Sequence, residues 1–257
     1  MIKPYLDSPE SVKNIMVYDV IGSTNREAKR QAAEGAAHGT VILADSQSDG
    51  VGRHNRPFFS PPGVGIYMSF ILSRSVMGYD SPTIITSYAA VRVCEAIEKV
   101  YNVKPSIKWV NDIYLNGKKI CGILAEGVSD PENPGVAAVI LGIGVNVSTK
   151  PADFPEGLRG RAGSLYPNGD PPVSRNVLAA EIINSVLSPD MPDETEIFKR
   201  YRARLFMLGA GVTVIQGSER FKATTLDIDN HGRLLVRLET GEVRALIWGD
   251  IELPQQP

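Results

Sequence analysis

Helix-compatible sequence ends near Met207. Beyond it, Val212 to Ile215, Arg220 to Ile228, Leu234 to Arg237 and Val243 to Trp248 are short strand-like runs, separated by Gln216-Gly217, Asn230-His231-Gly232 and Thr240-Gly241. Runs of that length between glycine turns specify an all-β unit of about fifty residues, a size that suits a small barrel. Ahead of Met207, strand-like segments alternate with helical ones. Strands interrupted by helices and then strands alone predict an α+β domain over residues 1–207, followed by a small β-barrel module over 208–257.

Within the first part, Asn14 to Val20 is strand-like and turns through Ile21-Gly22-Ser23-Thr24-Asn25 into a helical Arg26 to Ala33. Ser23, Thr24 and Asn25 can each cap that helix. Val41 to Asp45 and Ile66 to Leu72 read as strands. The longest helical pattern runs from Ser81 to Tyr101, with Ile84, Tyr88, Val91, Ala96 and Ile97 near one face, and Pro105 prevents its continuation. Ser106 to Leu115 and Lys118 to Glu126 read as two strands joined at Asn116-Gly117, the strongest short-range hairpin signal. Val136 to Val147 is a very apolar strand, expected at an exposed sheet edge, whose Gly142 and Gly144 mark a place where something approaches the backbone. Thr149 to Val173 is rich in proline and glycine and reads as loop, ahead of helices at Arg175 to Leu187 and Glu194 to Leu205.

One loop points to a ligand. Gly50-Val51-Gly52-Arg53-His54-Asn55-Arg56 runs through Ser60-Pro61-Pro62-Gly63 into a strand, a mobile cationic loop hinged on regular structure. Glycines let backbone N–H groups approach a guest closely, and guanidinium groups beside them suit phosphate or carboxylate. Its other reading is a solvated loop whose arginines make rim salt bridges. With 27 basic and 29 acidic residues, the chain lacks the charge footprint of broad nucleic-acid binding. Cys94 and Cys121 lie in apolar segments without CxxC spacing, and His38, His54 and His231 have no metal-ligand spacing. No apolar run approaches the ~18 residues of a membrane span. The first residues have no apolar core for a signal peptide, so a cytoplasmic protein is expected.

Four motifs, taken in order, make the chain resemble the biotin protein ligases, the enzymes that attach biotin to biotin-dependent carboxylases. They are Ser23-Thr24-Asn25, the loop from Gln47 to Gly63, Lys108-Trp109-Val110-Asn111-Asp112 with Lys118-Lys119-Ile120-Cys121-Gly122-Ile123-Leu124, and Gly142-Ile143-Gly144-Val145-Asn146-Val147. The resemblance implies a catalytic domain like the core of class II aminoacyl-tRNA synthetases, a mixed sheet with helices, and an SH3-like β-barrel at the end. It also implies a two-step reaction. Biotin and Mg-ATP first give biotinyl-5′-AMP and pyrophosphate; a lysine of a biotin carboxyl carrier protein or domain of an acyl-CoA carboxylase then attacks the mixed anhydride. Two anions meet in the first step, so cations and oriented N–H donors matter more than a base.

Carried over by position, the resemblance places Ser23, Thr24, Asn25 and Gln47 on the biotin head. Gly50, Val51, Gly52 and Arg53 belong to the segment that orders over biotin and its adenylate. Lys119 reaches the biotin carboxylate, and Gly122 and Gly142 line the same site. Arg56, Phe58, Lys108, Asn111 and Asn146 join Arg53 around ATP and the adenylate, with Arg53, Lys108 and Lys119 as the catalytic cations. Asp112 is the magnesium candidate and reads equally as a turn residue; Trp109 reads equally as core or site. Strand alternation turns Lys118 away from Lys119, toward solvent. No tightly bound prosthetic group is implied.

Departures from the common family loop, GRGRRGR followed by a residue and then Trp, are Val51 for the first arginine, Asn55 for a glycine and Phe58 for the tryptophan. The guanidinium expected at position 51 and the indole N–H donor expected at position 58 are missing. Val110 and Cys121 replace a usual proline and alanine and read as packing changes. A lipoate or octanoyl ligase of the sister family is the nearest alternative, but octanoyl transfer needs a nucleophile and Cys121 lies within a strand. A non-catalytic biotin-binding protein is the other. The short stretch ahead of Asn14 leaves no room for the winged helix of the family's DNA-binding members, so a monofunctional ligase without DNA binding is expected. It is expected to form a homodimer and to have no membrane contact.

Overall fold

The computed structural model describes residues 2–7, 14–79, 82–129 and 136–254. Seven strands, β1 (Asn14–Ile21), β2 (Thr40–Gln47), β3 (Gly65–Ser73), β4 (Ser106–Lys108), β5 (Asp112–Leu115), β6 (Lys118–Ser129) and β7 (Val136–Asn146), form one mixed sheet in the order β1-β2-β3-β7-β6-β5-β4. Only β1 and β2 run parallel, joined by α1 (Thr24–Ala33) as a crossover. The single turn α2 (Arg74–Met77) precedes the long α3 (Pro82–Tyr101), and α4 (Arg175–Val186) and α5 (Glu194–Arg204) complete the layer.

Strand alternation gives this sheet two differently used faces. Val41, Met68, Phe70, Leu72, Leu141, Ile143, Val145 and Ile123 are buried in the main core with α3, α4 and α5. The predicted face of α3 is buried, and so are Ile85, Ala89, Val93 and Cys94, because the helix is enclosed by the sheet and by α4 and α5. On the opposite face, Ile42, Ile71 and Ile140 pack only against Ala28 of α1 and its partly buried neighbours. That smaller cluster leaves the rest of the face free for polar groups.

Two expectations are corrected here. β7 is not an edge strand: it lies at the centre, paired with β3 and β6 along its length. The sheet edges are β1 and β4. Likewise, Ser106 to Leu115 is not one strand but a tight hairpin, with Lys108 opposite Asp112. Its turn is held from afar: Trp109 Nε1 donates to the Gly232 carbonyl at 3.0 Å, and the Tyr201 hydroxyl donates to the Val110 carbonyl at 2.8 Å. The Trp109–Val110 peptide is cis. Asn116-Gly117 does form the predicted hairpin turn, both residues having positive φ.

The carboxy-terminal strands β8 (Gly211–Gln216), β9 (Glu219–Ile228), β10 (Leu234–Leu238), β11 (Val243–Leu246) and β12 (Asp250–Glu252) form an antiparallel sheet in the order β11-β10-β9-β8-β12. This is the expected SH3-like module, with its two edge strands unjoined; β12 is an addition to the predicted set, and Trp248 lies outside β11. Val212, Val214, Leu234, Val236 and Ile251 continue the main core without a break. The fold as a whole is α+β with an appended β module.

Tyr201 tests that junction. Its fully buried hydroxyl satisfies the Val110 carbonyl, so Tyr201→Phe leaves a buried acceptor unpaired and is expected to cost about 1–3 kcal/mol. Urea unfolding of the two proteins measures the difference.

Candidate active site

The site is laid out by register. Residues opposite one another in adjacent antiparallel strands point to the same side, so Ser69, Gly142 and Leu124 form one row and Tyr67, Gly144 and Gly122 the next. This is the α1 side of the sheet, where β6 and β7 present bare backbone. A Cβ on Gly142 would lie 2.1 Å from Asn25 Oδ1, and one on Gly144 would lie 2.4 Å from the Phe58 ring. One on Gly122 would meet Phe58 at 3.1 Å and Lys119 Nζ at 3.4 Å. The predicted close approach therefore exists, and the approaching groups are side chains of α1 and of the Gly/Arg loop.

At one end lies a neutral hydrogen-bonding cup. Ser23 caps α1 by accepting from the Arg26 N–H, which places Thr24 and Asn25 in the first turn, over the sheet. Gln47 Oε1 accepts from the Thr24 N–H at 2.9 Å and lies 3.1 Å from its hydroxyl, while Gln47 Nε2 donates to Ser60 Oγ at 2.9 Å. Ser69 Oγ lies 2.6 Å from Asn25 Oδ1 and 2.8 Å from Thr24 Oγ1. Ser23, Thr24, Asn25, Ser60 and Ser69 are all buried. A buried cup this rich in uncharged amide and hydroxyl groups suits a guest with its own neutral donors and acceptors.

The Gly/Arg loop folds onto the sheet as a narrow ribbon. Phe58 N–H donates to the Gly50 carbonyl and Gly52 N–H to the Arg56 carbonyl, both at 2.8 Å, and Val51 bridges Pro57. His54 and Asn55 turn the tip with positive φ. Gly50 is forced by its neighbours, since a Cβ there would lie 2.6 Å from the Phe58 carbonyl. Arg53 Nη1 donates to Asn111 Oδ1 at 3.1 Å, and Asn111 Nδ2 in turn donates to the Ile123 carbonyl of β6 at 2.8 Å. Arg56 points elsewhere, pairing with Asp250 on β12. It ties the loop to the β module.

Cations collect at the other end. Lys119 Nζ lies 2.6 Å from Asp112 Oδ1, across the β5–β6 hairpin. Lys108 sits half-buried over the Tyr114 ring. Burial holds its ammonium below the ordinary lysine value, and the charges of Lys119 and Arg161 push the same way, against Asp112 and Asp250. Lys118 is exposed and donates to the Gly160 carbonyl, as alternation required. Asn146 Nδ2 donates to the Gly163 carbonyl at 3.0 Å, so its amide pins the loop after β7. Among the described residues no group of three or more His, Cys, Asp or Glu gathers into a metal cluster. A magnesium ion carried by nucleotide phosphates needs only one or two protein carboxylates, and the partly exposed Asp112 fits that need.

Ser60, Ser69, Arg161 and Asp250 were not among the predicted site residues. Ser69 alone carried a local signal, as the one hydroxyl amid Ile66, Tyr67, Met68, Phe70, Ile71 and Leu72.

Residues 17–146 match the model of the biotin/lipoate A/B protein ligase family, and residues 207–253 match that of the biotin protein ligase C terminal domain. The chain is 34% identical over 259 residues to the bifunctional ligase/repressor BirA of Bacillus subtilis, covering 94% of this chain and 74% of that protein. It is 31% identical over 225 residues to the biotin--[acetyl-CoA-carboxylase] ligase of Mycobacterium tuberculosis, covering 83% and 79%. Among solved structures, the Aquifex aeolicus biotin protein ligase in complex with biotin and ATP superposes with a TM-score of 0.79 at 25% identity, over 95% of this chain and 100% of that one.

Lys108 is charged at a cost. With its folded pKa depressed, the unfolded chain holds the proton more tightly, so the penalty is complete at neutral pH and relieved as pH rises through the folded value toward the ordinary 10.5. Lys108→Met is therefore expected to raise the melting temperature at pH 7, with the gain shrinking by pH 10; thermal unfolding at the two pH values checks both the sign and the trend.

Proposed function

Because the chain belongs to the biotin/lipoate A/B protein ligase family, we propose that it activates biotin with ATP as biotinyl-5′-AMP and transfers the biotinyl group to a carrier lysine. The observation that carries this reading is the polarity of the sheet face: a buried neutral cup at Thr24, Asn25, Gln47 and Ser69, a bare-backbone floor at Gly122, Gly142 and Gly144, then Lys119, Lys108 and Arg53. Biotin has the same order, a cyclic urea head, an apolar body and a carboxylate. An octanoyl chain has no head group to pair with the cup, and lipoate's dithiolane offers no strong donor or acceptor, so neither would use the lone pairs and protons that the cup has left over. Burial pushes the Cys121 thiol well above its ordinary value, and Cys94 is likewise raised, which speaks against an acyl-thioester route.

In this reading Ser23, Thr24, Asn25 and Gln47 bind the urea head, and Gly50, Val51 and Gly52 close the loop over it. Lys119 leaves Asp112 to meet the biotin carboxylate, bringing it toward the α-phosphate as a pair of anions screened by Lys108, Lys119 and Arg53. Asp112, so released, would hold magnesium, which supplies charge neutralisation on the phosphates when bound. Asn111 keeps Arg53 aimed at the phosphates. Phe58 gives the adenylate an apolar wall, Asn146 is assigned to the nucleotide, and Arg56 would reach it on leaving Asp250. Closing the loop excludes water from the acyl phosphate.

Residues 1–207 are assigned to catalysis and 208–257 to the appended module. The acceptor is taken to be the biotin carboxyl carrier domain of an acyl-CoA carboxylase, in the cytoplasm. No helix among the described residues is long and apolar enough to cross a membrane. A homodimer belongs to the same proposal, with the free edge β1, where Val17 and Val20 are exposed, as the surface it would use.

Pyrophosphate release from Mg-ATP, without any acceptor, tests the first step. Release is expected with biotin and not with lipoate or octanoate; release with lipoate alone would move the protein to the sister activity. In the same assay Lys119→Ala is expected to abolish release. Arg53→Ala is expected to keep it but to let the adenylate escape and biotinylate bystander amines, seen by streptavidin blotting of an added unrelated protein.

A further inference from the structure

The role of Asn25 in the neutral cup depends on which way round its amide stands. Its amide can present oxygen or nitrogen to either neighbour, and rotation by half a turn exchanges donor for acceptor without moving the shape. In this structure Nδ2 faces Glu126 Oε2 at 3.0 Å and Oδ1 faces Ser69 Oγ at 2.6 Å. Glu126 is itself held by Lys29 Nζ, 2.7 Å from its other oxygen. Lys29 lies one helical turn after Asn25 on α1, and Glu126 stands on β6 opposite Ile140, next to the Leu124–Gly142 row. The Lys29 and Glu126 side chains are 41% and 31% exposed, so as an ion pair they add little stability.

We propose that Lys29 and Glu126 act as a polarity anchor, fixing the orientation of the Asn25 amide and through it the donor–acceptor pattern that the cup offers the urea head of biotin. The logic is one of hydrogen-bond bookkeeping. An ammonium only donates and a carboxylate only accepts, so Glu126 obliges Asn25 to turn Nδ2 toward it. Oδ1 then faces Ser69, whose single hydroxyl proton must go to it. Ser69 is thereby unable to donate to Thr24, whose hydroxyl donates instead to Ser69 or to Gln47 Oε1 and keeps a lone pair for a guest N–H. The second Asn25 Nδ2 proton is left for a guest carbonyl. Gln47 is fixed independently, because the Thr24 backbone N–H selects its oxygen. Gly142 is the condition for all of this, since any Cβ there would collide with the Asn25 oxygen.

Replacing the carboxylate by an amide of the same shape inverts the pattern, and it does so because of Lys29. In Glu126→Gln the ammonium claims the new amide oxygen, the amide nitrogen faces Asn25, and Asn25 must turn over. Removing the ammonium as well, in Lys29→Met with Glu126→Gln, frees residue 126 to turn its oxygen back to Asn25. A lysine and glutamate that merely brace the surface would not give this sign of coupling, since the second substitution would remove more rather than restore it.

This inference rests on the biotin reading above, and the test separates the two. Biotin-dependent pyrophosphate release is measured for wild type, Lys29→Met, Glu126→Gln and the double variant, together with the Asn25 side-chain amide signals in 1H–15N spectra of the free proteins. Glu126→Gln is expected to raise KM for biotin by about ten- to a hundredfold, the scale of one mispaired buried hydrogen bond, with kcat changed far less. Lys29→Met alone is expected to stay close to wild type, and the double variant to recover most of the KM and the wild-type amide shifts. An unchanged KM and unchanged amide signals in Glu126→Gln would overturn the anchor, as would a double variant worse than Glu126→Gln. If the amide signals invert and recover as described but wild type shows no response to biotin, the anchor stands and the biotin reading falls.

Discussion

Every group at this site depends on bare backbone in the middle of a sheet. Gly122, Gly142 and Gly144 sit on β6 and β7, neighbouring strands near the middle of the sheet that are each paired on both sides, so the floor they make is held along both flanks. A glycine inside a strand costs roughly 0.5–1 kcal/mol relative to alanine. Ile123, Leu141, Ile143 and Val145, alternating with those glycines and buried on the far face, offset that cost. The same two strands thus carry the main core on one side and the site on the other. An edge strand could not do this, because one of its flanks would be left without a partner.

The two ends of the face are built on different physics. At the cup every polar group already has a partner, so binding adds bonds to lone pairs and protons left over, and selectivity comes from the arrangement of donors and acceptors. At the cationic end the protein tolerates like charges around the half-buried Lys108, where Lys119 and Arg161 oppose its ammonium and Asp112 and Asp250 support it. In the proposed reaction an arriving anion would relieve that crowding.

How far the sequence reached follows from which interactions were local. The Asn116-Gly117 turn, the cap at Ser23, the glycines of β7 and the β-only tail are set by neighbours in the chain, and each was legible. The break at Trp109 to Asn111 was not, because Tyr201, Met207 and Gly232 hold that turn from across the molecule while the residues themselves alternate like a strand. The apolar run of β7 announced burial but could not distinguish a central strand from an edge. Arg56 shows the same limit from the functional side: its loop reads as an anion clamp or as a solvated loop with rim salt bridges, and only the position of β12 reveals that this guanidinium takes the second course, with Asp250. Glu126 and Lys29 are ordinary in sequence and acquire meaning only when Asn25 lies between them and Ser69.

The loop's own anchors are graded in a way that suits both steps of the proposed reaction. Its base is fixed by buried contacts: Gln47 to Ser60, Ser60 to the Phe58 carbonyl, and the Phe58 ring seated over Gly122 and Gly144. At its far end Gly63 N–H donates to Asp45, which Arg175 also holds. The tip has fewer anchors: a single hydrogen bond from the Arg53 guanidinium to Asn111, and the pair of Arg56 with Asp250, in which the arginine is 66% exposed. Buried neutral bonds in a dry setting resist opening, whereas exposed ion pairs exchange readily with water and with other anions. The segment from Val51 to Arg56 is therefore the part of the loop with the fewest buried anchors. In the proposed reaction a carboxylate or phosphate at the cationic end would compete for the same guanidinium groups that hold this tip, so closure over it would replace one set of partners with another and leave the floor of the site unmoved.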